Sequence, residues 1–384
     1  MTRIAFVADV HLGNHRRFGG PLDAGINTRA RYVLDALRAS VVHAVNAGAD
    51  RLVVLGDLFD TTRPPPQLIS AALDVFLGES EDLEKGVTIL RGNHDMVSDA
   101  AGDHALGPLG YDCWVVDSPT LSIQPDHELW LVPFRPGHAS EWLPDALAEV
   151  AAQRPASEPA RDVPRILCFH LGVADAATPP WLQGAHDSIE VDPLRKMMGE
   201  HGITFCFCGN WHDRKVWTSQ EEQVVQVGAL VPTGFDNPGL SYGYVALLDT
   251  ETGEVEWSEC PGPRFLKVSG GPEALSDVLN AAMKIGGKRG MSLWKFYVDW
   301  RVPVDQLVEA RERFENAKAS GLIVGGSVLP DGEQVAATAT KAARAARASD
   351  TLDEAIDAWL ATTDLPEHVE APAVAARIRK YLGQ

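Results

Sequence analysis

Seven side chains able to hold a divalent cation stand just past the ends of five apolar runs in this sequence. "RIAFVADVH" closes on Asp9 and His11, and "RLVVLGDLFD" carries Asp57. "GVTILRGNHD" supplies Asn93, "RILCFH" supplies His170, and "ITFCFCGNWH" supplies Asn210 and His212. Carboxylate, amide oxygen and imidazole donors without thiolate suit a metal of intermediate hardness such as manganese or iron; magnesium would suit fewer histidines. Seven donors exceed the needs of one tetrahedral ion and match two ions that share a carboxylate. Asp57 is the natural bridge, with two oxygens and a negative charge to separate the cations. Two metals about 3.5–4 Å apart clamp a phosphate and ready a water for attack. Each fragment alone has a plain reading, since Asp-x-His and Gly-Asp are common after strands and a lone strand-end histidine is usually structural. Their order after five strands is what points to phosphoester chemistry.

Open α/β sheets build sites outside the carboxyl ends of their strands. The five runs therefore predict strands, and the segments between them predict helices. "NTRARYVLDALRASVVHAVNAGA" has helical periodicity, an Asn/Thr start and a late Gly. "PQLISAALDVFLG" starts at a proline and stops at a glycine. "ELWLVPF", "VVQVGAL" and "YGYVALLDTETGEVEW" predict further strands, the last folded into a hairpin at "DTETGE". The sum is an α/β or α+β core. Residues 151–164 and 174–193 read as loops. The composition shifts near 259–272, and beyond it a strand "LWKFYVDWRV" and a strand "LIVGGSVLP" flank helical segments 273–285 and "VDQLVEARERFENAKASG". Alanine-rich short helices follow Pro330 and are poor in bulky residues, so they need something to pack against.

The 384 residues suffice for two or three domains. There is no run of about 18 apolar residues and no signal-peptide pattern, so neither a membrane span nor export is expected. Five scattered cysteines suit a reducing cytoplasm, and Cys206 and Cys208 read as one face of a buried strand. The net charge of −19 argues against a general nucleic-acid coat. A metal cluster and a local basic strip can oppose that mean field, so a nuclease is compatible with it.

The order D-x-H, G-D, G-N-H-D, H, G-x-x-H over roughly residues 1–250 resembles the calcineurin-like metallophosphoesterase superfamily. "DVHLG", "GDLFDTTRPPP", "GNHD", "HLGV" and "VGALVPTGFDNPGLSYGY" look like its SbcD type, the nuclease subunits of double-strand-break repair complexes. The resemblance implies a two-sheet β-sandwich flanked by helices over 1–260. It implies a small α/β capping domain over 261–332 and a helical tail over 333–384 that binds an SbcC-type ATPase. It implies one metal on Asp9, His11, Asp57 and His212 and a second on Asp57, Asn93, His170 and position 210. It implies manganese, with magnesium as the alternative, DNA as substrate and a homodimer. His94 falls on the histidine that contacts phosphate or protonates the leaving oxygen, and Asp95 is expected to orient its ring. The chain departs from the family at Gly209-Asn210-Trp211-His212, where G-H-x-H is usual; an amide oxygen there predicts a weaker second site.

Other basic groups have two readings each. His15, Arg16, Arg17 and Arg63 suit DNA phosphate or a solvated loop. Lys341, Arg344 and Arg347 share one helical side that suits DNA, an acidic partner or solvent. Trp359, Leu360, Val374, Ile378, Tyr381 and Leu382 suit a partner or packing on the cap. Three functions follow: a metal-dependent DNA nuclease of repair or recombination, a phosphatase or phosphodiesterase of small substrates, and a silent scaffold that Asn210 alone suggests. The cap-like unit and the tail favour the nuclease.

Overall fold

The computed structural model describes residues 2–16, 19–98, 100, 102–156, 162–180, 182–232, 234, 243–260, 264–271, 273, 276, 294–319, 323–330, 360 and 372–375. It divides into two units, Met1–Leu266 and Lys267–Gln384.

Two six-stranded sheets form the first unit. The first sheet uses β1 (Arg3–Val7), β2 (Arg51–Val54), β3 (Val87–Leu90) and β4 (Trp114–Val116). The second uses β5 (Thr120–Ile123), β6 (Glu128–Val132), β7 (Arg165–His170), β8 (Phe205–Gly209), β9 (Lys215–Thr218) and β10 (Gln223–Gln226), and the chain then returns to the first with β11 (Tyr244–Asp249) and β12 (Val255–Glu259). The orders are β12-β11-β1-β2-β3-β4 and β9-β10-β8-β7-β6-β5. Strands β1 to β4 are parallel, as are β6, β7, β8 and β10, while β11 runs antiparallel to β1. Parallel central strands are buried on both faces, which is why they read as unbroken apolar runs. The fold is mixed α/β, as the sequence predicts.

Three apolar layers hold it. Ile4, Phe6, Val53 and Leu55 meet Leu129, Ile166, Cys168 and Phe207 between the sheets, with the Phe6 and Phe207 rings stacked at 3.8 Å. α1 (Thr28–Asn46) and α2 (Pro66–Glu79) cover the outer face of the first sheet. α3 (Ala139–Ala152) and α4 (Val191–His201) cover that of the second. α1 begins where expected, because the Asn27 side chain accepts the Ala30 N–H at 2.8 Å. The hairpin is present too: the Asp249 carboxylate accepts from the N–H groups of Glu251 and Thr252. Cys206 and Cys208 lie in the layer beneath α3 and α4, and all five cysteines are buried and free.

Local pattern missed several elements. α3 carries Pro144 in its interior, which masks its periodicity; α4 and the strand Ser188–Glu190 both fall in or overlap the segment read as a loop over 174–193. The short strands β4, β5 and β9 are set by pairing with their neighbours rather than by their own composition.

In the second unit, β13 (Arg264–Gly270), which runs across the division, β14 (Trp294–Val302) and β15 (Ile323–Pro330) make a three-stranded sheet. α5 (Leu307–Ala319) buries Ala310 and Phe314, and the Phe314 ring meets Trp300 at 5.9 Å. Most of the helix expected over 273–285, the basic side of Lys341, Arg344 and Arg347, and most of the tail over 333–384 lie outside the described residues. Among the described residues no helix is long and apolar enough to cross a membrane.

Candidate metal centre

The site forms where the loops after β1, β2, β3, β7 and β8 meet. The first two loops run side by side: the Asp9, His11 and Leu12 N–H groups donate to the carbonyls of Gly56, Asp57 and Leu58. This pairing holds Asp9, His11 and Asp57 in the left-handed region, with φ of 49°, 47° and 51°; Asn210 sits at 92°. Non-glycine residues adopt such angles at a cost of about 1–3 kcal/mol each, and they cluster where function requires a fixed direction. Two glycines let the loops close. A Cβ on Gly56, whose φ is +94°, would lie 2.2 Å from His170 Nδ1, and one on Gly92 would lie 2.1 Å from Asp57 Oδ1.

Asp57 is the centre of the arrangement. Its Oδ1 accepts the His94 N–H at 2.9 Å. Its Oδ2 lies 3.7 Å from His11 Nε2 and 3.4 Å from His170 Nε2. On one side His11 Nε2 faces His212 Nε2 at 3.0 Å. On the other, His170 Nε2 faces Asn93 Oδ1 at 2.9 Å. The Asp9 carboxylate accepts the Asn210 N–H through both oxygens, at 2.9 and 3.1 Å. Three sets of donor atoms therefore converge: Asp9, His11 and His212; Asp9, Asp57 and His170; and His11, Asp57 and His94. Asp9, Asp57, His11 and His170 form a buried floor, and Asn93, His94 and His212 a partly exposed mouth.

The donors are chemically prepared for cations. His170 Nδ1–H donates to the Leu55 carbonyl at 2.7 Å, so the proton that a cation would displace is the one on Nε2, which faces Asp57 and Asn93. His11 Nδ1 lies 3.5 Å from Asp60 Oδ1, too long for a full hydrogen bond but close enough to feel its charge. The pocket draws positive charge. Burial alone would lower His170, but Asp57 outweighs it and raises the imidazole to about 9. Burial likewise opposes charge on His11, yet Asp60, Asp57 and Asp9 hold it above its ordinary value. Asp57 itself stays well below the usual carboxylate range despite burial, because His170 and His11 flank it. Two imidazole nitrogens facing each other at 3.0 Å beside buried carboxylates fit a shared cation.

Two expected roles change. Asp95 does not orient the His94 ring. Its fully buried carboxylate accepts the N–H groups of Gly92, Phe59 and Leu58 at 3.0, 3.0 and 3.3 Å, which ties the third loop to the second. Burial, reinforced by Asp57, lifts its pKa to about 6. The His94 ring is oriented by the Asp60 carbonyl, which accepts from Nδ1 at 2.9 Å. Asn210 is occupied differently too: its amide nitrogen donates to the Asp187 carbonyl and carboxylate, at 3.0 and 3.2 Å, while its backbone N–H braces Asp9. The sequence pattern does not single out Asp60 or Asp187 as site residues. Asp60 could have been found, since it closes "GDLFD" three residues past Asp57; Asp187 sits in the long loop beside the site and carries no local signal. His15 is tied in place, with Nε2 at 3.0 Å from the His11 carbonyl and Nδ1 at 3.4 Å from Asp60; Arg63 is exposed, and Arg17 lies outside the described residues.

Residues 2–214, more than half of the 384, match the family described as calcineurin-like phosphoesterase. A DNA double-strand break repair protein Mre11 from Archaeoglobus fulgidus is 33% identical over 110 residues, which are 28% of this chain and 23% of that protein. The chain thus spans about a quarter of that relative's length. Among solved structures, a dimetal phosphatase from Danio rerio aligns at 16% identity and TM-score 0.38, covering 64% of this chain and 92% of that one. An archaeal phosphodiesterase aligns at 11% identity and TM-score 0.35, covering 67% and 99%.

Proposed function

The chain belongs to the calcineurin-like phosphoesterase family, phosphoester hydrolases that bind a dimetal centre, and from that membership we propose that it is a DNA nuclease. It cleaves phosphodiester bonds in DNA repair or recombination and works with an SbcC-type ATPase. The observation that carries hydrolysis of a phosphoester is the position of Asp57 Oδ2 between the His11/His212 pair and the His170/Asn93 pair. DNA as the substrate is supported by the identity to the archaeal Mre11 and by the presence of a second unit after Leu266, which a hydrolase of small esters rarely needs.

Asp9, His11, Asp57 and His212 would hold one cation, and Asp57, Asn93 and His170 the other; manganese would suit this mixture of imidazole and oxygen donors best. Two such ions supply charge against the phosphoryl oxygens and ease deprotonation of a water. The residues do the rest. Asp57 keeps the two donor groups in register. The Leu55 carbonyl fixes the His170 tautomer. The His94 Nδ1 proton is held by the Asp60 carbonyl, so it is the imidazolium form that acts: it gives its second proton, on Nε2, to the leaving 3′ oxygen as the P–O bond breaks and is left as neutral imidazole. The tail over 333–384 binds the ATPase, and the protein acts as a homodimer in the cytoplasm.

Incubation with manganese and linear DNA, or with bis-p-nitrophenyl phosphate, separates the alternatives. DNA degradation that falls about 10²–10⁴-fold in His94→Ala, with manganese binding retained by calorimetry, is expected. Turnover of the small ester with DNA untouched would make the protein a phosphodiesterase of small substrates. Removal of residues 350–384 should abolish binding to an SbcC-type ATPase from the same organism; unchanged binding would refute the role of the tail.

A further inference from the structure

Resting on that reading, we propose that Arg214 is a substrate-binding residue that grips a DNA backbone phosphate beside the bond being cut. Arg214 lies two residues past His212. Its guanidinium carbon stands 4.1 Å from the Tyr244 ring centroid and 4.7 Å from that of Trp257. The two rings meet edge to face at 89°, with centroids 6.2 Å apart, and so form a corner that boxes the guanidinium. Among the described residues it has no carboxylate partner. The neighbouring cation differs: Lys215 Nζ is 3.5 Å from Asp213 Oδ2.

That contrast matters in a chain with 53 acidic residues against 34 basic ones. Most side-chain cations described here lie beside a carboxylate, as Arg3, Arg31, Arg38, Arg135 and Arg195 do. The two rings stand at 89°, so the planar guanidinium can lie flat on only one of them and meets the other through an edge; the N–H donors on its remaining edges stay open to a ligand. A planar fork of that kind matches two oxygens of a phosphate.

The corner is coupled to the metal centre. The Ala229 N–H donates to the His212 carbonyl at 3.0 Å, and the Gly243 N–H donates to the Ala229 carbonyl at 2.8 Å. Tyr244 follows Gly243, so one backbone seam joins a cage residue to the shelf on which Arg214 rests. Tyr244 pairs in the sheet beyond Ala246, which is opposite Phe6, and therefore stands at the end of β11 level with the loop of Asp9. A small ester has a single phosphate, which the metal centre takes. A polynucleotide offers another phosphate one nucleotide away, and Arg214 is the group that can tell the two substrates apart.

The test compares wild type with Arg214→Met, which keeps the apolar stem, and Arg214→Lys, which keeps the charge. Binding of a labelled oligonucleotide is measured in chelator at 50 to 200 mM salt, and turnover of bis-p-nitrophenyl phosphate with manganese serves as the control. Loss of one phosphate contact lowers the salt slope by about 0.9, so the advantage of wild type over Arg214→Met should shrink roughly 3.5-fold across that fourfold salt range. Arg214→Lys should regain the slope, and ester turnover should stay at the wild-type level in both. Unchanged DNA affinity and slope in Arg214→Met would overturn the proposal while leaving a DNA-cleaving wild type intact. A parallel fall in ester turnover would make Arg214 structural and also overturn it. A wild type that hydrolyses the ester but neither binds nor cleaves DNA would remove the nuclease reading and this proposal with it.

Discussion

Gly92→Ala is the sharpest probe of how the centre is held. The added Cβ would stand 2.1 Å from Asp57 Oδ1 and 2.3 Å from the Asp57 backbone nitrogen. To reach even a tight contact of 3.0 Å the carboxylate oxygen must retreat by 0.9 Å, the difference between those values. It cannot do so freely. The backbone nitrogen is crowded by the same methyl, Oδ1 is bonded to the His94 N–H, and Oδ2 stands between His11 and His170. A displacement of about 1 Å at a reacting centre costs on the order of 10²-fold in rate. Overpacking costs about 1–3 kcal/mol, and at about 2–4 °C per kcal/mol for a unit of this size the melting temperature should fall by roughly 2–12 °C. The assay is turnover of bis-p-nitrophenyl phosphate at saturating manganese, with calorimetric manganese binding and a thermal melt alongside. Gly78→Ala is the control: it lies in α2 with nothing within 4 Å of its Cβ, and it should keep full turnover while gaining about 0.5–1 kcal/mol. Wild-type turnover and metal affinity in Gly92→Ala would refute the idea that Asp57 is pinned at one place between two donor pairs.

The contrast between two asparagines tests the reassignment of position 210. Asn93→Ala should weaken manganese binding at the second position by about tenfold or more, whereas Asn210→Ala, which keeps the backbone N–H to Asp9, should weaken it far less; equal losses in calorimetry would restore Asn210 as a ligand. Glu128 gives a pH prediction away from the site. Burial alone would raise its pKa, but Arg154, Trp130 and Arg165 bring the carboxyl below its ordinary value of 4.5. A depressed pKa stabilises the fold fully above the unfolded value and is lost as pH falls through the folded one. Glu128→Gln should therefore cost about 1–3 kcal/mol at pH 7 and flatten the stability loss below pH 4.5 in acid melts; an unchanged acid slope would refute the linkage.

Local pattern sufficed for the parallel core and for most of the side chains that converge on the candidate centre. Buried parallel strands must be apolar on both faces, so "RIAFV", "RLVV" and "RILCFH" announce themselves, and the polar residues that end them fall at one end of the sheets by necessity. Asp9, His11, Asp57, Asn93, His170 and His212 were legible for that reason. Direction was not legible, because it depends on groups far apart in the chain. Whether Asp95 turns toward His94 or under the loop depends on the Leu58 and Phe59 N–H groups, which are more than 30 residues away. Whether Asn210 offers its oxygen to a cation or its nitrogen to Asp187 depends on a loop with no pattern of its own. α3 and α4 are hidden for a related reason: the interior Pro144 of α3 and the turn-forming residues that lead into α4 mask a periodicity that is fixed by burial of Leu143, Leu147, Leu194 and Met198 against the second sheet. Residue type and order follow from local chemistry, whereas the aim of a side chain is set by the partner that reaches it, and only the folded chain brings that partner near.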